Sequence, residues 1–189
     1  MVCLILNGTR MPEVNELVEQ LVKIPGMTSI TINVNTKQTN VIMGQEMRSV
    51  WGQDYITDYI GNVKYQISPL SFFQVNPVQT GKLYERALEY ADVESGETVW
   101  DLYCGIGTIS LVAAKKAGEV LGIELNETAG KAAKKNAKKN NCGNVRLIAA
   151  DAGEFMVQLS KDKTAVKPDV VFMDPPRSGS DAKFLNSAV

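Results

Sequence analysis

The chain has 189 residues, 44% of them hydrophobic and 22% charged, with a net charge of −1 and no histidine. That apolar fraction supports one full core and a small second one, and every apolar run is broken by Gly, Pro or charge well short of the roughly 20 residues a membrane helix needs. Without histidine the commonest general base, the Ser-His triad and most transition-metal sites are excluded, which leaves carboxylates, thiols or a cofactor to do any chemistry. Cys3, Cys104 and Cys142 are odd in number and far apart, with no C-x-x-C pair, so they read as free thiols of a reducing cytoplasm and not as a metal site. The N-terminal MVCLILNGTR has neither the basic start nor the cleavage site of a secretion signal. Residues 1–98 hold 7 Lys/Arg against 11 Asp/Glu, and residues 99–189 hold 13 against 10, a weak basic bias in the second half.

In chain order, residues 2–6 read as a strand ended by Asn7-Gly8, and residues 12–23 place Val14, Leu17, Val18, Leu21 and Val22 at helical spacing. Ser29–Asn35 alternates Ile30, Ile32 and Val34 with polar residues, which predicts a strand with one wet face, and a further short strand is expected at 41–43. The β-rich runs 55–60 and 63–67 flank Gly61-Asn62 and predict a hairpin. Residues 1–67 therefore read as a small α+β domain, and 68–189 as a second domain.

The second domain opens with SPLSFFQVNP, in which Asn76 is set to cap a helix with Pro77 in its first position. The expected inner face of that helix is Leu83, Ala87, Leu88 and Ala91, and its end lies near Asp92. From there strands at 98–102, 120–124, 145–149 and 170–173 alternate with helices at 108–116 and 127–140, with a loop before the last strand. Such alternation predicts a parallel sheet with covering helices, truncated in that only four strand candidates are present.

The chemistry concentrates at the ends of these strands. In VWDLYCGIGTISL, residues 99–111, a buried strand runs into Gly105-Ile106-Gly107 and a helix beginning at Thr108, where glycines permit a tight turn and close approach of a nucleotide-like ligand. Glu124 ends the next strand, 19 residues after Gly105, where an acid can accept from both ribose hydroxyls. A dinucleotide site uses the same layout, but Ser110 replaces the third small residue of the dinucleotide fingerprint. Asp101 lies where it could either grip an amino-acid moiety or tie down loop N–H groups, and Asp151 could accept from an adenine amino group. In DVVFMDPPRSGSD, residues 169–181, two prolines hold Asp174 rigidly at a strand tip, while Arg177 suits an RNA phosphate or a surface ion pair equally. The lysines 131, 134, 135, 138 and 139 read as the solvated face of a covering helix.

SPLSFFQVNP, VWDLYCGIGTISL, GIELN and DPPR in this order resemble the RNA 5-methyluridine methyltransferase family, over nearly the whole chain and most strongly from 50 to 180. The resemblance implies a Rossmann-like class I methyltransferase sheet preceded by the family's central α+β domain. It further implies S-adenosyl-L-methionine as cofactor, contacted by Gln74, Tyr103, Thr108, Glu124, Asp151 and Asp174. RNA is the implied substrate, ribosomal RNA being favoured over transfer RNA, and the reaction is methylation of uridine C5. In the family a cysteine thiolate adds to C6 so that C5 can attack the methyl group, after which a base removes the C5 proton. That cysteine stands in an S-C-N-P-like motif after D-P-x-R, and the base is a later Glu. Neither motif occurs in this sequence, and none of the three cysteines precedes Asn-Pro, so no catalytic residue is assigned. The sequence is expected to be the middle of a longer enzyme, able to bind cofactor without turnover. Methylation of another substrate, or non-catalytic nucleotide or RNA binding, are the competing expectations, whereas NAD leaves Asp151 and the DPPR loop without a role.

Overall fold

A computed structural model describes residues 1–162, 166–177, 179–180 and 182–187. The chain forms two compact units, Met1–Asp58 with Gln66–Ser71, and Tyr59–Tyr65 with Phe72–Val189.

The first unit is built on β1 (Val2–Leu6), α1 (Val14–Leu21), β2 (Ser29–Val34) and β3 (Glu46–Gly52), in the sheet order β1-β2-β3. β1 and β2 run parallel because α1 returns the chain between them, and β2 and β3 are antiparallel with a bulge at Ile30/Thr31. Two expectations fail here. β2 has no wet face, since Ser29, Thr31 and Asn33 are as fully buried as Ile30 and Ile32. A central strand is covered more completely than its alternation suggests, and the Asn33 side chain is occupied by the following loop, donating to the Gly44 and Glu46 carbonyls at 2.8 and 3.1 Å. Residues 41–43 form no strand. The Asn35 amide instead donates to the Val41 and Ile42 carbonyls at 2.7 and 2.9 Å and holds them in a loop, so the ladder partner of β2 comes later, at Glu46–Gly52.

The hairpin β4 (Ile56–Ile60) and β5 (Val63–Ile67) turns at Gly61, whose φ of 55° is the positive value a primed turn requires of its first central residue.

The second unit runs α2 (Pro77–Tyr90), β6 (Thr98–Leu102), α3 (Thr108–Ala113), β7 (Glu119–Glu124), α4 (Glu127–Lys139), β8 (Val145–Ala149), α5 (Ala152–Leu159), β9 (Val170–Met173) and α6 (Ala182–Ser187). Asn76 caps α2 by accepting the Gln79 N–H at 3.1 Å. The buried face of that helix is Thr80, Tyr84 and Leu88, and Leu83 points outward at 63% exposed. The Tyr84 hydroxyl finds its partner inside, on Thr108, which turns Leu83 outward, while Thr80 bonds back to the Asn76 carbonyl of its own helix. Helix α5 falls where a loop was expected.

The four strands are all parallel, in the order β8-β7-β6-β9. Alternate residues of β6 serve the two faces of the sheet: Trp100 and Leu102 pack with Ile123, Met156 of α5 and Phe184 of α6, while Val99 packs with Val120, Leu88 of α2 and Ala113 of α3. The chain winds outward from β6 to β7 and β8, then returns to lay β9 on the other side of β6. Ligands of open parallel sheets bind at such a reversal, outside the C-terminal strand ends. Among the described residues no helix is long and apolar enough to cross a membrane.

Candidate functional site

At the tip of β6 the backbone makes three left-handed residues in quick succession, Tyr103 (φ 74°), Gly105 (φ 57°) and Gly107 (φ 84°). At Gly107 a Cβ would meet Ala133 of α4 in ordinary van der Waals contact, so it is the positive φ and not a clash that favours glycine there. Tyr103 adopts the same region with a full side chain, a strain that concentrates at functional positions. Its ring is held 6.2 Å from that of Phe184.

Two carboxylates lock this loop. Asp101, 1% exposed on β6, accepts both the Ser110 N–H (2.9 Å) and the Ser110 hydroxyl (2.5 Å) on Oδ2. Burial pushes its carboxyl up to about 6 against the pull of those two bonds, and the nearby charges of Asp174 and Glu124 push the same way. Of the two roles open to it, tying down the N-terminal turn of α3 is therefore realised. Glu124 ends β7 and accepts the Gly105 N–H at 2.8 Å and the Asn126 N–H at 2.7 Å, one on each oxygen. Each oxygen keeps a lone pair for a further donor.

Gln74, Tyr103, Thr108 and Asp174 come together around one cavity of about 50 Å³ between the tips of β6 and β9, with Asp101 and Tyr84 also in its wall. Glu124 stands at the neighbouring tip, where it fixes the loop and borders a separate groove of about 140 Å³ with Lys131 and Leu147. Asp151 follows β8 and caps α5, accepting the Glu154 N–H at 2.9 Å, and it is not in the wall of the cavity. Arg177 is exposed, and Ser178 and Asp181 of the same motif lie outside the described residues. The five lysines of α4 are all exposed, with Lys131 paired to Glu127.

Cys104 also borders the cavity, but burial pushes its thiol up and the carboxylates of Asp101 and Glu124 push further, which favours the neutral thiol over the thiolate. Cys142 is buried beyond the end of α4, and Cys3 lies half-buried in β1. Three residues escaped sequence reasoning. Tyr84 bonds the Thr108 hydroxyl at 3.1 Å, and only its spacing one turn after Thr80 hinted at an inward position. Asn136, wholly buried on α4, donates to the Ile106 carbonyl at 3.2 Å. Gly122 of β7 lies where a Cβ would come within 3.0 Å of Cys104 Sγ and 3.1 Å of Ser110 Oγ, so it makes room for the loop.

A model of the tRNA (uracil-5-)-methyltransferase family matches residues 27–188. An uncharacterized RNA methyltransferase of Clostridium tetani is 44% identical over 188 residues, which is 99% of this chain and 40% of the relative. A second, from Caldanaerobacter subterraneus, is 44% identical over 100% of this chain and 42% of the relative. The chain thus spans about two fifths of the length of these relatives. Among solved structures, the Pyrococcus abyssi tRNA (uracil-54, C5)-methyltransferase in complex with S-adenosyl-L-homocysteine superposes with a TM-score of 0.73 at 25% identity, covering 98% of this chain and 42% of that one. Trm5b of the same organism, with a TM-score of 0.61 at 19% identity over 98% of this chain and 52% of that one, shares the fold.

Proposed function

The chain belongs to the tRNA (uracil-5-)-methyltransferase family, and on that premise we propose that the cleft at the tips of β6, β7 and β9 binds S-adenosylmethionine for methylation of C5 of uridine in RNA. One observation carries the cofactor: the glycine loop is surrounded by the carboxylates of Asp101, Glu124 and Asp174, and no Lys or Arg stands among the described residues of the cavity wall. A dinucleotide would bring a doubly charged pyrophosphate into that negative field. S-adenosylmethionine is a net cation, its sulfonium and ammonium outweighing its one carboxylate, and its ribose hydroxyls are donors for Glu124.

The residues divide the ligand by chemistry. Glu124 takes the ribose, Asp151 the adenine amino group, Tyr103 and Thr108 the loop side, and Gln74 and Asp174 the amino-acid end. The cavity of about 50 Å³ holds little more than one or two waters, so it admits only the small end of such a ligand while the nucleoside lies across the open strand tips. When bound, the cofactor supplies an electrophilic methyl group, and the protein's part is to orient it and to keep the charge of the site negative. The solved P. abyssi relative, with S-adenosyl-L-homocysteine bound, supports this reading. Neither the buried Cys104 nor Cys3 or Cys142 is assigned the attack on C6.

Calorimetry of this chain with S-adenosyl-L-homocysteine and with NAD tests the cofactor: tighter binding of NAD refutes it. The reaction is tested on the full-length protein with RNA containing 5-fluorouridine, where only addition to C6 traps a covalent adduct. Ribosomal RNA is the substrate proposed from the sequence. Transfer RNA is the second reading, favoured by the P. abyssi relative, and adduct formation with each RNA separates them.

A further inference from the structure

Tyr65, on β5, is wholly buried, and burial pushes its hydroxyl far up, so it stays a neutral donor at any ordinary pH. That hydroxyl donates to the Thr108 carbonyl at 2.9 Å. Helical geometry already offers this carbonyl to the N–H four residues on, so the bond is not needed to satisfy α3. What it adds is position. The ring of Tyr65 meets that of Phe73 at 5.6 Å and 52°, next to Gln74. Phe73 and Thr108 come from separate segments of the chain, and both stand in the cavity wall.

The strand end carrying Tyr65 is itself gripped. Asn140 accepts the Lys64 N–H at 2.9 Å and donates to the Lys64 carbonyl at 2.7 Å, in the manner of a neighbouring strand. One turn earlier on the same helix, Asn136 holds the Ile106 carbonyl at 3.2 Å. The end of the hairpin and the glycine loop are thus anchored to one rigid element, with Tyr65 between them.

We propose that Tyr65 is a positioning residue of the cofactor cleft, its hydroxyl fixing Thr108 and its ring fixing Phe73 so that the two walls stay in register. The inference rests on the reading of the cleft as an adenosyl site. A Tyr that merely filled the core would lower stability when changed but would leave ligand affinity in step with that loss.

The test measures S-adenosyl-L-homocysteine affinity by calorimetry, and urea unfolding without ligand, for the chain and for Y65F, Y84F, Y65F/Y84F, N140A and V120A. Val120 is a core residue outside the cavity wall and serves as the stability control. Y65F is expected to bind about 5- to 10-fold more weakly, the size of one lost hydrogen bond, and V120A to stay within about twofold of the parent although it is also destabilised. The double variant should lose less than the product of the two single losses, because both hydroxyls act on Thr108. N140A, which frees Lys64 from outside the cleft, is expected to bind about threefold more weakly and keeps the test open if Y65F does not fold. Parental affinity in folded Y65F or in N140A, or equal losses in V120A and Y65F, overturns the proposal. If the unaltered chain fails to bind the ligand, the adenosyl reading falls and takes this inference with it, a result separate from any variant.

Discussion

The sheets around β2 and β6 bury polar side chains with different consequences. On β2 of the first unit, the Ser29 and Thr31 hydroxyls are fully buried with no hydrogen-bond partner. On β6 of the second, Asp101 is buried just as deeply and takes two bonds from Ser110 on Oδ2, its Oδ1 having no partner among the described residues, and Asn136 reaches across from α4 to Ile106. An unpartnered buried hydroxyl only subtracts from stability, whereas a paired buried carboxylate orders the loop that it bonds. Burial alone therefore does not point to the site: Asn33 of β2 is buried and bonds the loop at Gly44, and Asp101 is set apart by standing in the cavity wall.

This contrast breaks first at Asp101. Its carboxyl is raised from the ordinary aspartate value, so the stability linked to it is fully present below about 3.8 and is lost as pH rises to about 6. Urea unfolding from pH 4 to 7 should show the second unit weakening over that window by at most about 3 kcal/mol. D101N, which keeps an acceptor for Ser110 but cannot ionise, should flatten the slope; an unchanged slope shows that Asp101 is not the titrating group. Next in size is Glu124. E124A removes the acceptor of the Gly105 and Asn126 N–H groups together with the proposed ribose contact, and should weaken S-adenosyl-L-homocysteine binding by about 30- to 100-fold, or about 2–3 kcal/mol. Calorimetry showing less than a threefold loss would remove Glu124 from the site.

G122A is a smaller perturbation. Its Cβ would come within 2.6 Å of Leu147 Cδ2, and 3.0 and 3.1 Å of Cys104 Sγ and Ser110 Oγ. The leucine tip can move, but the loop is pinned by Asp101, so a cost of about 1–3 kcal/mol is expected in urea unfolding. The mildest change sharpens the comparison from the other side. T31V deletes a buried hydroxyl that bonds nothing and should be neutral or stabilising by up to about 1 kcal/mol, while S110A, which strips Asp101 of a donor, should be destabilising by a similar amount. If both variants lose stability equally, the distinction between the sheets fails.

Helix α5 replaces the expected loop although its signal is local: Ala152, Phe155, Met156 and Leu159 stand at i, i+3, i+4 and i+7 after the cap Asp151, a complete helical signature. The misplaced strand at 41–43 has another origin. Val41 and Ile42 are apolar, yet they are held in a loop by Asn35, a contact that no local pattern encodes. Leu83 likewise carried the helical period of α2, but the face turned inward is the one on which Tyr84 reaches Thr108.

The sequence alone determined the parallel alternation of the second unit, the glycine turn, the acids at the strand ends and the family, because these depend on residue type and spacing along one strand–turn–helix path. Tertiary structure decided which of those acids share a cavity. Asp101 and Asp174 are more than seventy residues apart in the chain and become neighbours only because β9 pairs with β6, and Tyr65 meets Thr108 across 43 residues of chain. Strand order and long-range hydrogen bonds are properties of the packed chain as a whole, set by which buried groups find partners, and periodicity within one element carries no record of them.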